Sequence, residues 1–322
     1  YSQFPQEKEL KGEVIELDTA LFRYPFRIRI EGDKAIVLDL HGSDYYGHLF
    51  QYPSFRYLSS FGRRGDSPLE MLSMENFRLH NHTLWTLDAN KSELTRLDFS
   101  SSGDSLLREE TVALDEDILR PLDFAIYNDT TFVIPDYSGE SRFLKVDCKG
   151  KLIEKIGTIP TTNKKALQEA RPALAQAWRS FLDYNSHNSV LATVTQLGEV
   201  VEIYNLKDST HVIRVGEYDE PEFKVSDGYG IPTGIMGFSD VQVTDDAIYA
   251  VFHGTSFKDI ARQSGRLSDG GKYIYVFSLK GEPLCKYVLD HYIYGIWVDE
   301  VTKTIMATDV NNDQPILKFS FG

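Results

Sequence analysis

The 322-residue chain sets 48 Asp and Glu against 34 Lys and Arg, and its formal charge of −14 excludes nucleic acid and anionic membrane surfaces as partners, since both require a basic face. Apolar residues make up 42% and aromatics 12%, ample for a core built from strands, and no run of about 18 apolar residues is present to cross a membrane. Two cysteines, Cys148 and Cys285, are too few for a disulfide framework and are expected as free thiols.

The stretch from Ser2 to Lys11 is polar, and the chain begins with Tyr1 rather than Met, so a signal or anchor removed ahead of it is expected. A short strand follows within residues 11–18, Gly12-Glu13-Val14-Ile15-Glu16-Leu17, with no inner partner of its own. Nearly all-apolar strands then recur six times, at Ala35–Leu40, Thr83–Asp88, Thr131–Asp136, Ser189–Thr195, Ala247–His253 and Thr304–Val310. Their starts lie 48, 48, 58, 58 and 57 residues apart, a period that marks a propeller or an array. Each repeat reads as four strands. In the third these are Leu122–Tyr127, Thr131–Asp136, Arg142–Asp147 and Leu152–Gly157, parted by the turns Asn128-Asp129, Ser138-Gly139-Glu140 and Lys149-Gly150. An unbroken apolar second strand such as Ala247–Phe252 suits burial on both faces by neighbouring blades.

Between the third and fourth repeats, over about 161–182, Leu167, Ala170, Leu174, Ala177 and Phe181 form a helical stripe, and Pro172 starts a second short helix. The last repeat holds three strands, Ile293–Asp299, Thr304–Val310 and Pro315–Phe321. The N-terminal strand is expected to supply the fourth, closing the ring and covering an edge. The sequence therefore predicts an all-β, six-bladed propeller forming a single domain over residues 1–322, with a short helical insertion between blades 3 and 4.

In such a blade the first-to-second turns lie on one face, and here they are short, as at Asn81-His82 and Asp245-Asp246. The other face holds the long excursions His41–Gly47, Phe61–Met71, Pro160–Ala177, Glu217–Gly237 and His253–Gly271. Binding residues concentrate on long loops held by a rigid scaffold, so function is expected on that face, at the mouth of the central channel. At the starts of the innermost strands stand Arg27, Asn76, Asp123, Arg179, Asp240 and Tyr294, either a ring that orients a polar ligand or a solvated channel wall. Asp88, Asp136 and Asp309 share a column at the ends of the second strands. They either present carboxylates to a Ca²⁺ at the axis or accept hydrogen bonds from their own turns. His41 and His253 share the next column, each before a glycine, as turn residues or as a metal or acid–base pair. Arg63 and Arg64 are candidate anion or sugar contacts, and Tyr45 is a candidate stacking ring. No nucleophile elbow, zinc helix, Cys-x-x-Cys or phosphate loop occurs.

The repeat grammar resembles that of the TolB-like and NHL-like six-bladed propellers, in particular a group abundant in gut-dwelling anaerobic bacteria. The resemblance rests on Phe124-Ala125-Ile126-Tyr127-Asn128-Asp129-Thr130-Thr131-Phe132-Val133-Ile134-Pro135-Asp136, on Phe61-Gly62-Arg63-Arg64-Gly65-Asp66, and on Tyr294-Gly295-Ile296-Trp297-Val298-Asp299-Glu300. It covers about residues 11–322 and speaks for architecture rather than activity. It implies an exported protein of the periplasm, or a lipoprotein anchored to the outer membrane. The expected function is a non-catalytic binding module that recognises a peptide, protein or glycan on the long-loop face, as a monomer and without a cofactor. The alternative is a Ca²⁺-assisted hydrolase resembling the propeller lactonases, using channel carboxylates and histidines. A scaffold subunit of an envelope assembly is the third reading.

Overall fold

Alternation of buried side chains with short polar turns builds every sheet of the computed structural model, which describes residues 1–19 and 22–322. Strands β1 (Glu7–Leu10) and β2 (Glu13–Ile15) lead the chain. Blade 1 is β3 (Pro25–Glu31), β4 (Lys34–Asp39), β5 (Tyr45–Gln51) and β6 (Arg56–Arg63). Blade 2 is β7 (Met74–His80), β8 (Thr83–Asp88), β9 (Glu93–Phe99) and β10 (Leu106–Ala113). Blade 3 is β11 (Ala125–Asn128), β12 (Thr131–Pro135), β13 (Phe143–Asp147) and β14 (Leu152–Ile156), followed by helices α1 (Lys164–Glu169) and α2 (Arg171–Ala177). Blade 4 is β15 (Ser180–Asn185), β16 (Val190–Thr195), β17 (Val200–Asn205) and β18 (Thr210–Val215). A hairpin of β19 (Phe223–Ser226) and β20 (Tyr229–Pro232) leads to blade 5: β21 (Phe238–Val243), β22 (Ala247–Phe252), helix α3 (Phe257–Arg262), β23 (Gly271–Ser278) and β24 (Pro283–Ile293). Blade 6 is β25 (Ile296–Asp299), β26 (Thr304–Thr308) and β27 (Ile316–Ser320).

The expected closure is present: β2 pairs antiparallel with β27, Val14 opposite Leu317, and completes blade 6. Val14 on this strand faces solvent, whereas Leu17 just beyond it is buried. A second device was not foreseen. β1 adds to the outer edge of blade 5 as a parallel fifth strand, Leu10 opposite Leu289, so the N-terminal segment staples two blades. Tyr1 and Phe4 extend the staple by packing edge-on against Tyr275 and Phe277.

The core is a set of inter-blade seams. One buried cluster joins blades 1 and 2 (Leu38, Phe77), one blades 2 and 3 (Leu87, Phe132), one blades 3 and 4 (Phe143, Leu191). The others join blades 4 and 5 (Val194, Ile248), 5 and 6 (Val251, Ile305), and 6 and 1 (Met306, Val37). This is why the second strands read as unbroken apolar runs: each is covered on both sides. The innermost strands β3, β7, β11, β15, β21 and β25 touch in turn and return to β3.

The helical insertion sits between blades 3 and 4 and is shorter than the stripe suggested, because Trp178 caps α2 and Phe181 already belongs to β15. Pro172 does open α2, where its missing N–H is not needed. No helix is long and apolar enough to cross a membrane among the described residues. Both cysteines are free, Cys148 exposed and Cys285 buried.

Candidate functional site

Four residues of the expected channel ring are placed differently from a ligand-facing wall. Arg27, Asn76, Asp123 and Asp240 are all but fully buried, because their polar groups meet partners from other blades across the axis. Arg27 Nε lies 3.5 Å from Asp240, and Arg29 donates two hydrogen bonds of 3.1 Å to the same carboxylate. Arg78 reaches Asp123 at 3.0 Å and Asp183 at 3.4 Å, and Asn76 donates to Asp123 at 2.6 Å. Blade 6 joins through its backbone: Ile296 N–H donates to Asp240, and Arg29 donates to Ile296 C=O. Three arginines and three aspartates, from inner strands and, for Asp123, from the approach to β11, thus form a neutral lattice that plugs the channel. Burial pushes the Asp240 carboxyl up, but Arg27 and Arg29 outweigh it and hold it below the usual range. Burial raises Asp183, and it lowers Arg27 to about 10.

That lattice is the floor of a cavity. In four of the six blades a lining residue stands just before a lattice residue: Phe26 before Arg27, Glu75 before Asn76, Leu122 before Asp123 and Ser239 before Asp240. Arg179 and Phe181 come from blade 4, and Tyr294 stands at the entry to blade 6. All six blades therefore line one cavity of ≈ 290 Å³ on the long-loop face. Its strands are shaped for this. In β3, β7 and β21 the register shifts across Pro25/Arg27, Met74/Asn76 and Phe238/Asp240, and the bulged residues Phe26, Glu75 and Ser239 all line the cavity. A bulge re-aims one side chain out of the ladder, and bulges gather beside functional sites.

The lining combines aromatic rings with unengaged polar groups. The buried Arg27 guanidinium stacks on Phe26 at 3.8 Å and Phe181 at 4.5 Å, so those rings cover the lattice. Tyr294 packs against Phe26 at 5.3 Å, and Phe238 adds a further ring. Among the described residues the side chains of Arg120, Arg179 and Gln196 make no hydrogen bond or ion pair with protein; Arg179 has only the Tyr137 ring, 5.9 Å away. His253 Nε2 is buried without a partner, and burial lowers this imidazole to about 4, with Asp269 opposing. A second cavity of ≈ 290 Å³ continues from Met236 and His253 beneath α3 and residues 263–270. The Tyr24 hydroxyl holds that segment across the mouth by donating to Asp269 at 2.6 Å, and Asn311 exchanges hydrogen bonds with Asp269.

The remaining candidates divide. His41 and His253 do not touch, but they end one run of edge-packed rings, His41–Tyr24 at 5.1 Å, Tyr24–Tyr294 at 5.5 Å and Tyr294–His253 at 5.3 Å. Arg64 stacks on Tyr46 at 3.7 Å and donates to Leu40 C=O, a fixture of blade 1. Arg63 and Tyr45 are exposed outside the cavity, Arg63 facing Glu70 at 3.6 Å. Asp88 accepts from the backbone N–H of Leu72, Ser73, Asn90 and Lys91. Asp136 accepts from Ser138 and Ser141, and Asp309 from Asn311 and Asn312. Asp39, unremarked in the sequence, does the same for Arg23 and Tyr24. No group of three or more His, Cys, Asp or Glu is placed to hold a metal ion among the described residues. A broader depression of ≈ 520 Å³ on the opposite face draws on turns of blades 1 and 2 alone, such as Asp33 and His82.

A family model described as TolB-like 6-blade propeller-like matches residues 3–301. Comparison with curated proteins finds no significant match. Among solved structures, a Bacteroides fragilis protein described as exported aligns at 12% identity over 98% of each chain, TM-score 0.61. A DUF4221 member from Bacteroides vulgatus aligns at 10% identity over 98% of each, TM-score 0.60. An auxiliary nutrient binding protein from Bacteroides ovatus aligns at 10% identity over 93% of this chain and 70% of its own, TM-score 0.57. At these identities the likeness is one of fold.

Proposed function

The chain belongs to the TolB-like six-blade propeller family, and from that premise we propose that it is a non-catalytic binding module of the cell envelope that holds a ligand in the axial cavity. The convergence of all six blades on one cavity carries the reading, with three β-bulges turned into its lining. Sites of this kind pair apolar walls with a few free polar groups that set orientation. Phe26, Phe181, Phe238 and Tyr294 supply the first, and Arg120, Arg179, Gln196 and His253 the second. The channel carboxylates of the hydrolase alternative are committed to turns of separate blades or to the lattice, and two tyrosine rings separate the histidines. Both facts favour binding over hydrolysis.

Export, and function as a monomer, are part of the same proposal. The Bacteroides fragilis propeller is described as exported and the Bacteroides ovatus protein as nutrient binding. Both descriptions fit a ligand-holding propeller outside the cytoplasm; cell fractionation tests the compartment and sedimentation the oligomeric state. The binding itself is tested by thermal-shift screening against glycan and peptide panels. A ligand at about a hundred times its Kd adds about 2.7 kcal/mol of stability. Met236→Trp, at the junction of the two cavities, is expected to abolish every such shift while leaving the unliganded melt in place. Shifts that survive the Trp would refute the site.

A further inference from the structure

We propose that the axial cavity takes a carboxylate-bearing sugar, a uronic acid residue of a glycan, whose carboxylate is held by Arg120 and Arg179. This rests on the reading of the cavity as a binding site. In a chain of charge −14, the cavity lining carries two arginines against one acid, Glu75. The lattice beneath contributes no net charge, so the field inside the cavity is set by these groups, while Asp269 at the mouth is engaged by the Tyr24 hydroxyl. Arg120 and Arg179 enter blades 3 and 4, which are neighbours, and both forks are free of carboxylates among the described residues. Arg120 is exposed and Arg179 half-buried, so both forks are open to a ligand, whereas Arg29, Arg78 and Arg142 are buried against Asp240, Asp123 and Glu202. Guanidinium forks match a carboxylate in two parallel hydrogen bonds. Arg120 is also held at φ +32°, a conformation disfavoured for residues with a Cβ and tolerated where the surroundings enforce it.

The other side of the cavity specifies the body of the ligand. Phe238, Tyr294 and Phe26 come from blades 5, 6 and 1 and line the cavity with aromatic surface suited to the C–H face of a pyranose. Gln196 and the neutral His253 offer hydrogen bonds to hydroxyl groups, and Glu75 is an acceptor whose Oε1 already takes the Ser73 hydroxyl. Glu75 also opposes a second negative charge on the group bound there, so a singly charged carboxylate fits better than a doubly charged phosphate. A peptide gains less here. The lining comes from strand starts and their loops, so there is no open strand edge to which a backbone could add.

The test is calorimetric titration at low ionic strength with digalacturonate, with uncharged digalactose, and with an acidic hexapeptide. Digalacturonate is expected to bind at least about tenfold tighter than digalactose, as befits a charge-assisted bidentate contact. Arg179→Ala and Arg120→Ala are each expected to remove most of that advantage, and Arg179→Lys only part of it. Arg63→Ala, outside the cavity, should change nothing. Unchanged melting curves of the two alanine variants establish that they fold. Equal affinity for both sugars, lost together in Met236→Trp, would overturn the carboxylate clamp and leave the cavity reading standing. Binding of digalacturonate that ignores both arginines would overturn the clamp, and binding of the peptide in place of either sugar would overturn the sugar class. If none of the three binds, the inference is overturned, while the cavity reading stands or falls on the panel screen with Met236→Trp.

Discussion

Replacing Arg78 with Ala should be among the most damaging single changes in the molecule. Arg78 joins three blades: it lies on β7 of blade 2, contacts Asp123 at 3.0 Å and donates at 2.7 Å to Phe124 C=O in blade 3, and reaches Leu182 C=O and Asp183 in blade 4. Removing one partner of a buried ion pair costs about 3–5 kcal/mol, because the remaining charge stays desolvated. Two backbone carbonyls lose their donor as well, at about 1 kcal/mol each, which places the loss at the upper end of that range. At ~2 °C per kcal/mol for a long chain, the melting temperature should fall by about 10 °C, with a matching drop in the urea midpoint. The sign with pH is fixed. Burial already raises the Asp183 carboxyl and Arg78 opposes that rise, so without Arg78 its folded-state pKa lies further above the unfolded one and the folded state binds the extra proton. The deficit should then be larger at pH 7 than near pH 4. Adding Asp183→Asn to Arg78→Ala should recover part of the loss. A deficit under about 1 kcal/mol, or one that ignores pH, would show that the lattice does not hold the ring.

Burial lowers His48 and His253 to about 4, below the ordinary 6.5, so the unfolded chain binds their protons first. Stability should therefore be complete above about pH 6.5 and fall towards pH 4, and His48→Gln should flatten that slope in urea titrations across the range. Deleting residues 1–18 removes β1, β2 and the buried Leu10 and Leu17, whose burial alone is worth about 3–6 kcal/mol, so a large drop in the melting temperature is expected; an unchanged curve would contradict the staple. A Cβ at Gly295 would stand 2.6 Å from Phe26 C=O. Gly295→Ala should thus cost about 1–3 kcal/mol by forcing blade 6 away from blade 1, and should weaken ligand binding beside Tyr294.

The blades were legible because burial on both faces writes itself as an unbroken apolar run, as in Ala247–Phe252, and because short turns recur with it. The ring closure was legible for a complementary reason: blade 6 lacks a strand and residues 13–15 have no other partner. The parallel β1 was not, since Glu7–Leu10 shows one buried side chain and no pattern. Within the site, Arg179 and Tyr294 were read from strand starts and His253 from the end of a second strand, and all three line the cavity. Arg27, Asn76, Asp123 and Asp240 were read in the same way but are buried, because their partners lie across the axis on strands far apart in sequence. Phe26, Glu75, Arg120, Gln196 and Phe238 were missed, and Phe181 was absorbed into the helical stripe. A bulge leaves no mark in composition. A signal existed nonetheless: Phe26, Glu75, Leu122 and Ser239 each stand one residue ahead of a polar lattice residue, a register that aligned inner strands would expose.

Backbone hydrogen exchange with and without saturating digalacturonate tests most directly whether the axis is where ligand is held. The proposal predicts slowed exchange at Phe26, Arg179–Phe181, Phe238–Ser239 and Tyr294, with the 263–270 segment following. Protection confined to the opposite face, at Glu31–Lys34 and His82, or to the outer strands, would contradict it.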